Sequence, residues 1–216
     1  MRLIRAAVVL LFVIAAQQAH AANASSSSTT EATREASATF DETFSNGIRN
    51  SVEVTVAETQ VTSVEGTAQS LQAYIQILQS DTHVAGNKVV DVAGGVNTQP
   101  GAFQLNEDLS TASLHIAVPI CGAEVLQNGR LKDHPSACFE AYVSLEWTGA
   151  AEIVSGSGTD NYQAGDCTVH LISTYMRRDS YSSGAISFGN INFTPDTSIS
   201  ASMRASTRST NATCPD

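Results

Sequence analysis

The chain of 216 residues lacks the short motifs that mark most catalytic and zinc sites. It has no Gly-x-Ser-x-Gly elbow to expose a nucleophilic serine, and Gly156-Ser157-Gly158 does not have that spacing. It also has no Cys-x-x-Cys pair, no His-x-His pair and no His-Glu-x-x-His sequence. These absences argue against a serine hydrolase and against a zinc centre.

Charged and aromatic residues are both scarce, at 15% and 6% of the chain. Glu140 and Glu146 share one face of a predicted strand, but six residues separate them by about 20 Å. The acid and base of a glycosidase lie within roughly 5–10 Å of each other. These two glutamates therefore do not form a catalytic pair, and a solvated outer face is the expected use of this side of the strand.

The chain also lacks an apolar run long enough to span a membrane, which takes roughly 20 residues. Two arginines, Arg2 and Arg5, precede an apolar run from Ala6 to Ala16, and Ala19-His20-Ala21 follows. This order is typical of a cleaved secretory signal. We expect residues 1–21 to be a signal peptide, the mature chain to begin at Ala22, and the protein to be secreted without a stable membrane anchor.

The mature chain is strongly acidic. Removal of the two signal arginines changes the net charge from −10 to −12, so nucleic acid is not an expected partner. Four cysteines in an exported chain favour two disulfides over a metal site.

The composition of the mature chain predicts one domain with a polar N-terminal segment. Residues 22–38 contain Ser, Thr, Ala and Glu with no large apolar residue, a composition typical of a flexible leader. We expect this leader to precede a folded domain that occupies residues 39–216.

The strongest strand pattern runs from Cys138 to Gly149. Apolar residues occupy its odd positions from Phe139 to Trp147, and the only tryptophan of the chain faces inward. Period-two patterns predict further strands, and residues 69–79, where a helix also fits, are taken as a strand. The predicted strands cover residues 52–56, 69–79, 88–93, 102–105, 112–118, 167–175, 185–193 with a bulge near Gly189, and 198–205.

Polar loops are predicted between several of these strands. Pro119 is expected to end the strand that precedes it because proline has no N–H to donate. Residues 121–135 and 149–166 are then expected to be loops. The pattern as a whole favours a single antiparallel β-sandwich, jelly-roll or immunoglobulin-like, of about eight to ten strands.

Few residues suggest a metal or anion site. His115 and His170 project from less buried faces and would pair only if their strands were neighbours. Asp160-Asn161 and Asp166 bracket a loop but lack the alternating carboxylates of a calcium site. Arg177-Arg178, followed by Asp179, is better suited to internal ion pairs than to anion binding in so acidic a chain. No catalytic residue, metal ligand or cofactor is predicted.

The C-terminal third resembles uncharacterised secreted bacterial β-rich proteins. The residues that carry the resemblance are Leu145, Trp147-Thr148-Gly149, Arg177-Arg178, Ser183-Gly184-Ala185 and Asn192-Phe193-Thr194-Pro195. The resemblance implies export and a β fold, and it transfers no site residues.

Four cysteines allow three disulfide connectivities, and strand order favours one of them. Cys121 closes one strong strand and Cys138 opens the next, so antiparallel pairing would place them opposite each other. Cys167 would then bond Cys214 and hold a polar C-terminal tail, expected from Thr207 onward.

These observations predict a secreted, non-enzymatic protein of binding, adhesion or envelope type, with an extracellular protein or glycan as its partner. The alternative is a carbohydrate-active module, either a lectin-like binder or a hydrolase whose carboxylates come from different strands.

Overall fold

The computed structural model describes residues 26–43, 47–81, 89–98, 101–189, 191–194 and 198–214. The predicted signal peptide and the predicted start at Ala22 lie outside these residues. Within them, no helix is long and apolar enough to cross a membrane.

The described chain is all-β, and every strand pair in it is antiparallel, which confirms the predicted fold class and is compatible with a sandwich. There are eleven strands: β1 (Ser26–Thr43), β2 (Ile48–Ser63), β3 (Gly66–Asp81), β4 (Val89–Thr98), β5 (Phe103–Leu105), β6 (Thr111–Val125), β7 (Leu131–Gly149), β8 (Val154–Ala164), β9 (Cys167–Phe188), β10 (Ile191–Phe193) and β11 (Ser200–Thr213).

The strands form a ladder that closes on itself. Its order is β9-β11-β1-β2-β3-β4-β6, and β7 completes the circuit because it pairs with both β6 and β9. The junction between β4 and β6 consists of a single bridge, Gly94 to Ile120. A Cβ at Gly94 would lie 2.0 Å from the carbonyl oxygen of Pro119, so only glycine allows this close approach. β5, β8 and β10 are not part of this circuit: β5 pairs with β6, and β8 and β10 pair with β9.

One hydrophobic cluster fills the interior. Trp147 lies at its centre with 0% exposure, and its indole Nε1 donates a hydrogen bond to the carbonyl of Ser37 on β1 at 2.9 Å. Phe40 packs edge-on against Phe193 with ring centroids 6.1 Å apart. The prediction of a core strand around Trp147 is confirmed.

The predicted flexible leader is wrong from Ser26 onward. Residues 26–43 form β1, which pairs with β11 on one side and with β2 on the other, and Ala36 and Ala38 are buried. Backbone pairing on both sides satisfies the N–H and C=O groups of this segment without large apolar side chains. Its composition therefore did not reveal the strand.

The loop predicted over residues 121–135 is wrong as well. β6 continues through Pro119 to Val125, and β7 begins at Leu131. On its second side β6 meets only the three residues of β5 and the bridge to Gly94. A proline is tolerated in a strand that is largely unpaired on one side.

Three further expectations are corrected. Most of the loop predicted over residues 149–166 is β8, which pairs with β9 along its whole length. The bulge predicted near Gly189 is instead the turn between β9 and β10, where Gly189 adopts a left-handed φ of 57°. The tail predicted from Thr207 onward belongs to β11, which reaches Thr213.

Both predicted disulfides are confirmed. Cys121 bonds Cys138, with Cα atoms 4.0 Å apart, at the point where the β6–β7 register shifts. Cys167 bonds Cys214 and ties the start of β9 to the end of β11. The second bond closes the far end of a sheet that extends beyond the core.

Candidate functional site

Six strand segments continue past the hydrophobic core as a sheet, which we call the extension. It consists of residues 154–164 of β8, 167–177 of β9, 204–213 of β11, 26–35 of β1, 57–63 of β2 and 66–71 of β3. Side chains alternate between the two faces of a strand. The inner face is the side of the extension that is continuous with the core-facing side of the same strands; Met176 and Ala205 lie on it. The outer face is the opposite side.

The inner face of the extension carries two charges, Arg34 and Glu58, in the row of residues that aligns with Met176. Beyond that row, most positions carry hydroxyl or amide groups. We define the hydroxyl face as the twenty inner positions beyond the row of Met176. They are Ser157, Thr159, Asn161 and Gln163 on β8; Thr168, His170, Ile172 and Thr174 on β9; Thr207, Ser209, Asn211 and Thr213 on β11; Ser26, Ser28, Thr30 and Ala32 on β1; Gln60 and Thr62 on β2; and Thr67 and Gln69 on β3.

None of these twenty residues is Asp, Glu, Lys or Arg, and none is buried. The outer face of the same segments carries Glu31, Asp160 and Arg208. Both faces belong to the same strands and the same acidic chain. Beyond the row of Met176, the charged side chains of these segments therefore lie on the outer face.

Hydrogen bonds between neighbouring strands order the side chains of the hydroxyl face. Thr174 and Thr207 share one at 2.6 Å, Thr30 and Ser209 one at 3.2 Å, and Thr62 and Thr67 one at 3.2 Å. His170 pairs in the same way with Asn161. A ligand would therefore meet donors and acceptors that are already positioned, which reduces the entropy lost on binding.

A groove of about 600 Å³ lies at the core end of the hydroxyl face. Thr174, Thr207 and Ser157 line it, and Arg34 and Glu107 supply its charges. Glu107 stands on the loop between β5 and β6. Arg178 of β9 donates a hydrogen bond to the carbonyl of Leu109 in that loop at 3.4 Å, and another to the carbonyl of Ala151, between β7 and β8, at 2.7 Å. The groove and the hydroxyl face form one continuous surface.

The tyrosines occupy the outer surface instead. Each of the five is at least 39% exposed, and four of them follow the line of β9. Tyr162 lies opposite Val169, Tyr175 and Tyr181 lie on β9 itself, and Tyr142 lies opposite Ser187. These positions are six residues apart, or about 20 Å, so the rings are isolated and do not form one stacking platform.

Tyr142 forms a hydrogen bond within its own strand, β7. Its hydroxyl donates a hydrogen bond to Glu140 at 2.7 Å, and this bond, with the negative charge of Glu140, raises the pKa of Tyr142. Glu140 and Glu146 are both exposed on β7. Glu146 lies opposite Ser113 and Ser183, and Glu140 opposite Pro119, so register places no second carboxylate directly beside either glutamate.

The other residues considered as sites are dispersed. His115 contacts Ser144 at 2.9 Å on the outer surface of β6 and β7, whereas His170 lies on the inner face of β9, so the histidine pair does not form. Asp160 accepts a hydrogen bond from the N–H of Asn161 at 2.8 Å. In the part of the chain that the structure describes, no group of three or more His, Cys, Asp or Glu residues is placed to hold a metal ion.

The two adjacent arginines point to opposite faces of β9. Arg177 forms an ion pair with Asp179 at 3.2 Å on the outer face. Arg178, on the inner side, donates hydrogen bonds to Leu109 in the β5–β6 loop and to Ala151 between β7 and β8. They do not act together on one anion. The expected internal ion pair is confirmed for Arg177, whereas Arg178 donates hydrogen bonds to backbone carbonyls.

The chain matches no protein-family model, no curated protein and no solved structure. The resemblance of its C-terminal third to secreted bacterial β-rich proteins therefore stays a prediction.

Proposed function

We propose that the protein is a secreted, non-enzymatic binding protein of adhesion or envelope type whose hydroxyl face binds a neutral polysaccharide. The observation that carries the proposal is the absence of charge from twenty contiguous, solvent-accessible positions in a chain of net charge −10. Two disulfides support export because they persist in oxidising compartments.

The chemistry of the face suits a polyhydroxylated ligand. Hydroxyl groups both donate and accept hydrogen bonds, and an amide such as that of Asn161 or Gln69 offers a donor and an acceptor side by side. Covering these groups with another neutral hydroxyl-rich surface removes no charge from water, so binding avoids the largest desolvation cost. Thr methyl groups and Ile172 add apolar contact with the C–H groups of a sugar ring.

Charge and size favour a neutral polymer over an anionic one. The acidic chain repels polyanions at long range. Six strands spaced by about 4.8 Å give the face a width of about 24 Å, enough to contact several consecutive sugar units of an extended chain. The twenty positions hold no carboxylate, and the adjoining groove supplies one, Glu107. A hydrolase normally needs two carboxylates, so this composition favours the lectin-like alternative.

Affinity electrophoresis tests this proposal with a panel of soluble polysaccharides. We expect a neutral glucan, mannan or xyloglucan in the gel to retard the protein, while alginate and polygalacturonate leave its mobility unchanged relative to an inert acidic marker. Reducing-end assays on the same mixtures should show no release of sugar.

Three outcomes would contradict this proposal. Retardation by polyanions alone would show that the uncharged face is not the binding surface. Lack of retardation by every neutral polysaccharide would remove the glycan as the ligand. Release of reducing ends would support the hydrolase instead.

A further inference from the structure

The extension ends in an unprotected edge strand. Within the described chain, β8 pairs with β9 and with no other strand, so one side of its eleven residues presents N–H and C=O groups without strand partners. Ten of the eleven are exposed. An edge of this length is a template for another strand.

β8 carries almost none of the features that keep edge strands apart. It has no proline and no lysine, its register with β9 runs without a bulge, and Asp160 is its only charged residue. Single-chain β proteins normally protect an edge with such features. An open edge of eleven residues without these features is available to pair with another strand.

The sequence of β8 is complementary to itself when two copies run antiparallel about Thr159. At full overlap, Val154 lies opposite Ala164, Gly156 opposite Tyr162, and Thr159 opposite its own counterpart. The remaining pairs are Ser155 with Gln163, Ser157 with Asn161, and Gly158 with Asp160. No pair opposes like charges, bulky residues face small ones, and each pair lies on one face of the sheet.

We propose that β8 pairs with β8 of a second copy of the chain, joining two extensions into one continuous twelve-stranded sheet. The two hydroxyl faces then lie on the same side of that sheet, because antiparallel register about Thr159 preserves the inner and outer faces. A single strand pair is a small interface, so association is expected in the micromolar range. The proposal stands independently of polysaccharide binding.

A second copy fits this edge better than an unrelated extended peptide. In this register, every one of the eleven residues of β8 lies opposite a residue of the second β8. Its single carboxylate, Asp160, lies opposite Gly158 of the other copy and diagonal to the other Asp160, about 7–8 Å away, so the two carboxylates do not meet directly. The two-fold symmetry is also the commonest symmetry of protein dimers.

Sedimentation velocity over a range of protein concentrations, without polysaccharide, tests the proposal. The parent is expected to shift from the monomer mass to twice that mass. Thr159→Lys and Thr159→Glu place like charges opposite each other at the two-fold axis, so each variant alone should stay monomeric. An equimolar mixture of the two should dimerise because it places Lys opposite Glu.

Asn211→Lys is the matched control. It adds the same charge at an exposed position of the same face, but on β11, away from the edge, and should leave dimerisation unchanged; far-UV circular dichroism checks that all variants are folded. A parent that stays monomeric at every concentration overturns the proposal and leaves the edge to another partner. Dimerisation of Thr159→Lys alone, loss of dimerisation in Asn211→Lys, or failure of the mixture to associate would each overturn it as well.

Discussion

Replacing Trp147 with alanine is expected to lower the free energy of unfolding by about 3–5 kcal/mol. The indole is fully buried in the single core cluster, and it links β7 to the carbonyl of Ser37 on β1, a strand that does not pair with β7. Truncation would remove apolar contacts from both sides of the closed ladder and leave a cavity between them. Urea unfolding followed by far-UV circular dichroism measures the change.

Tyr181→Ala is the control for this substitution. Tyr181 lies on β9 opposite Thr148, the residue next to Trp147, but its side chain is 63% exposed. Its removal should change the free energy of unfolding by no more than about 0.5 kcal/mol. If Trp147→Ala unfolds at the same urea concentration as the parent, the assignment of Trp147 to the core is wrong.

Replacing Cys167 and Cys214 together with serine is expected to cost about 4 kcal/mol, the loop-entropy value for the 47 residues between them. This bond joins the far ends of β9 and β11, which lie outside the core cluster and where Val169 is buried. Loss of this disulfide should therefore loosen the ends of β9 and β11 as well as lower the free energy of unfolding. We expect faster amide hydrogen exchange over residues 167–174 and 207–213 than in the core strands.

The other disulfide provides the comparison. Cys121→Ser with Cys138→Ser should cost about 3 kcal/mol, since 17 residues separate the two, and should leave the relative exchange protection of the extension unchanged. Equal acceleration of exchange in core and extension after loss of Cys167–Cys214 would contradict the local role of that bond.

The sequence predicted the part of the fold that buries apolar side chains. Between Phe139 and Trp147, alternation is complete because one face of β7 contacts the core and the other contacts solvent. Strand order around Cys121 and Cys138 also predicted the disulfide, because consecutive antiparallel strands bring such positions opposite each other.

Strands of the extension were missed for a physical reason. Residues 26–35 and 154–164 have two solvent-accessible faces, so they have no apolar alternation and resemble a leader and a loop. Their stability comes from backbone pairing with strands that lie far away in the chain, such as Ser26 with Thr213. Composition alone does not report such pairing.

The hydroxyl face could not be predicted for the same reason. It is assembled from six segments whose register is set by the fold, as when Ala32 aligns with Thr207 and Thr207 with Thr174. The signal available in the sequence was the repeated hydroxyl residues in Ser26–Thr33 and Thr207–Thr213. Without the register, that signal indicated only a polar segment.

Two adjacent residues of β9 allow the most direct test of the binding face. Thr174 belongs to the hydroxyl face and lines the groove, whereas Ser173 projects from the outer face, and both are exposed. Thr174→Glu and Ser173→Glu change the net charge equally. In affinity electrophoresis against the neutral polysaccharide that retards the parent, Thr174→Glu is expected to lose most of its retardation and Ser173→Glu to keep it. Equal retardation of the two variants, or loss confined to Ser173→Glu, would contradict binding through the hydroxyl face.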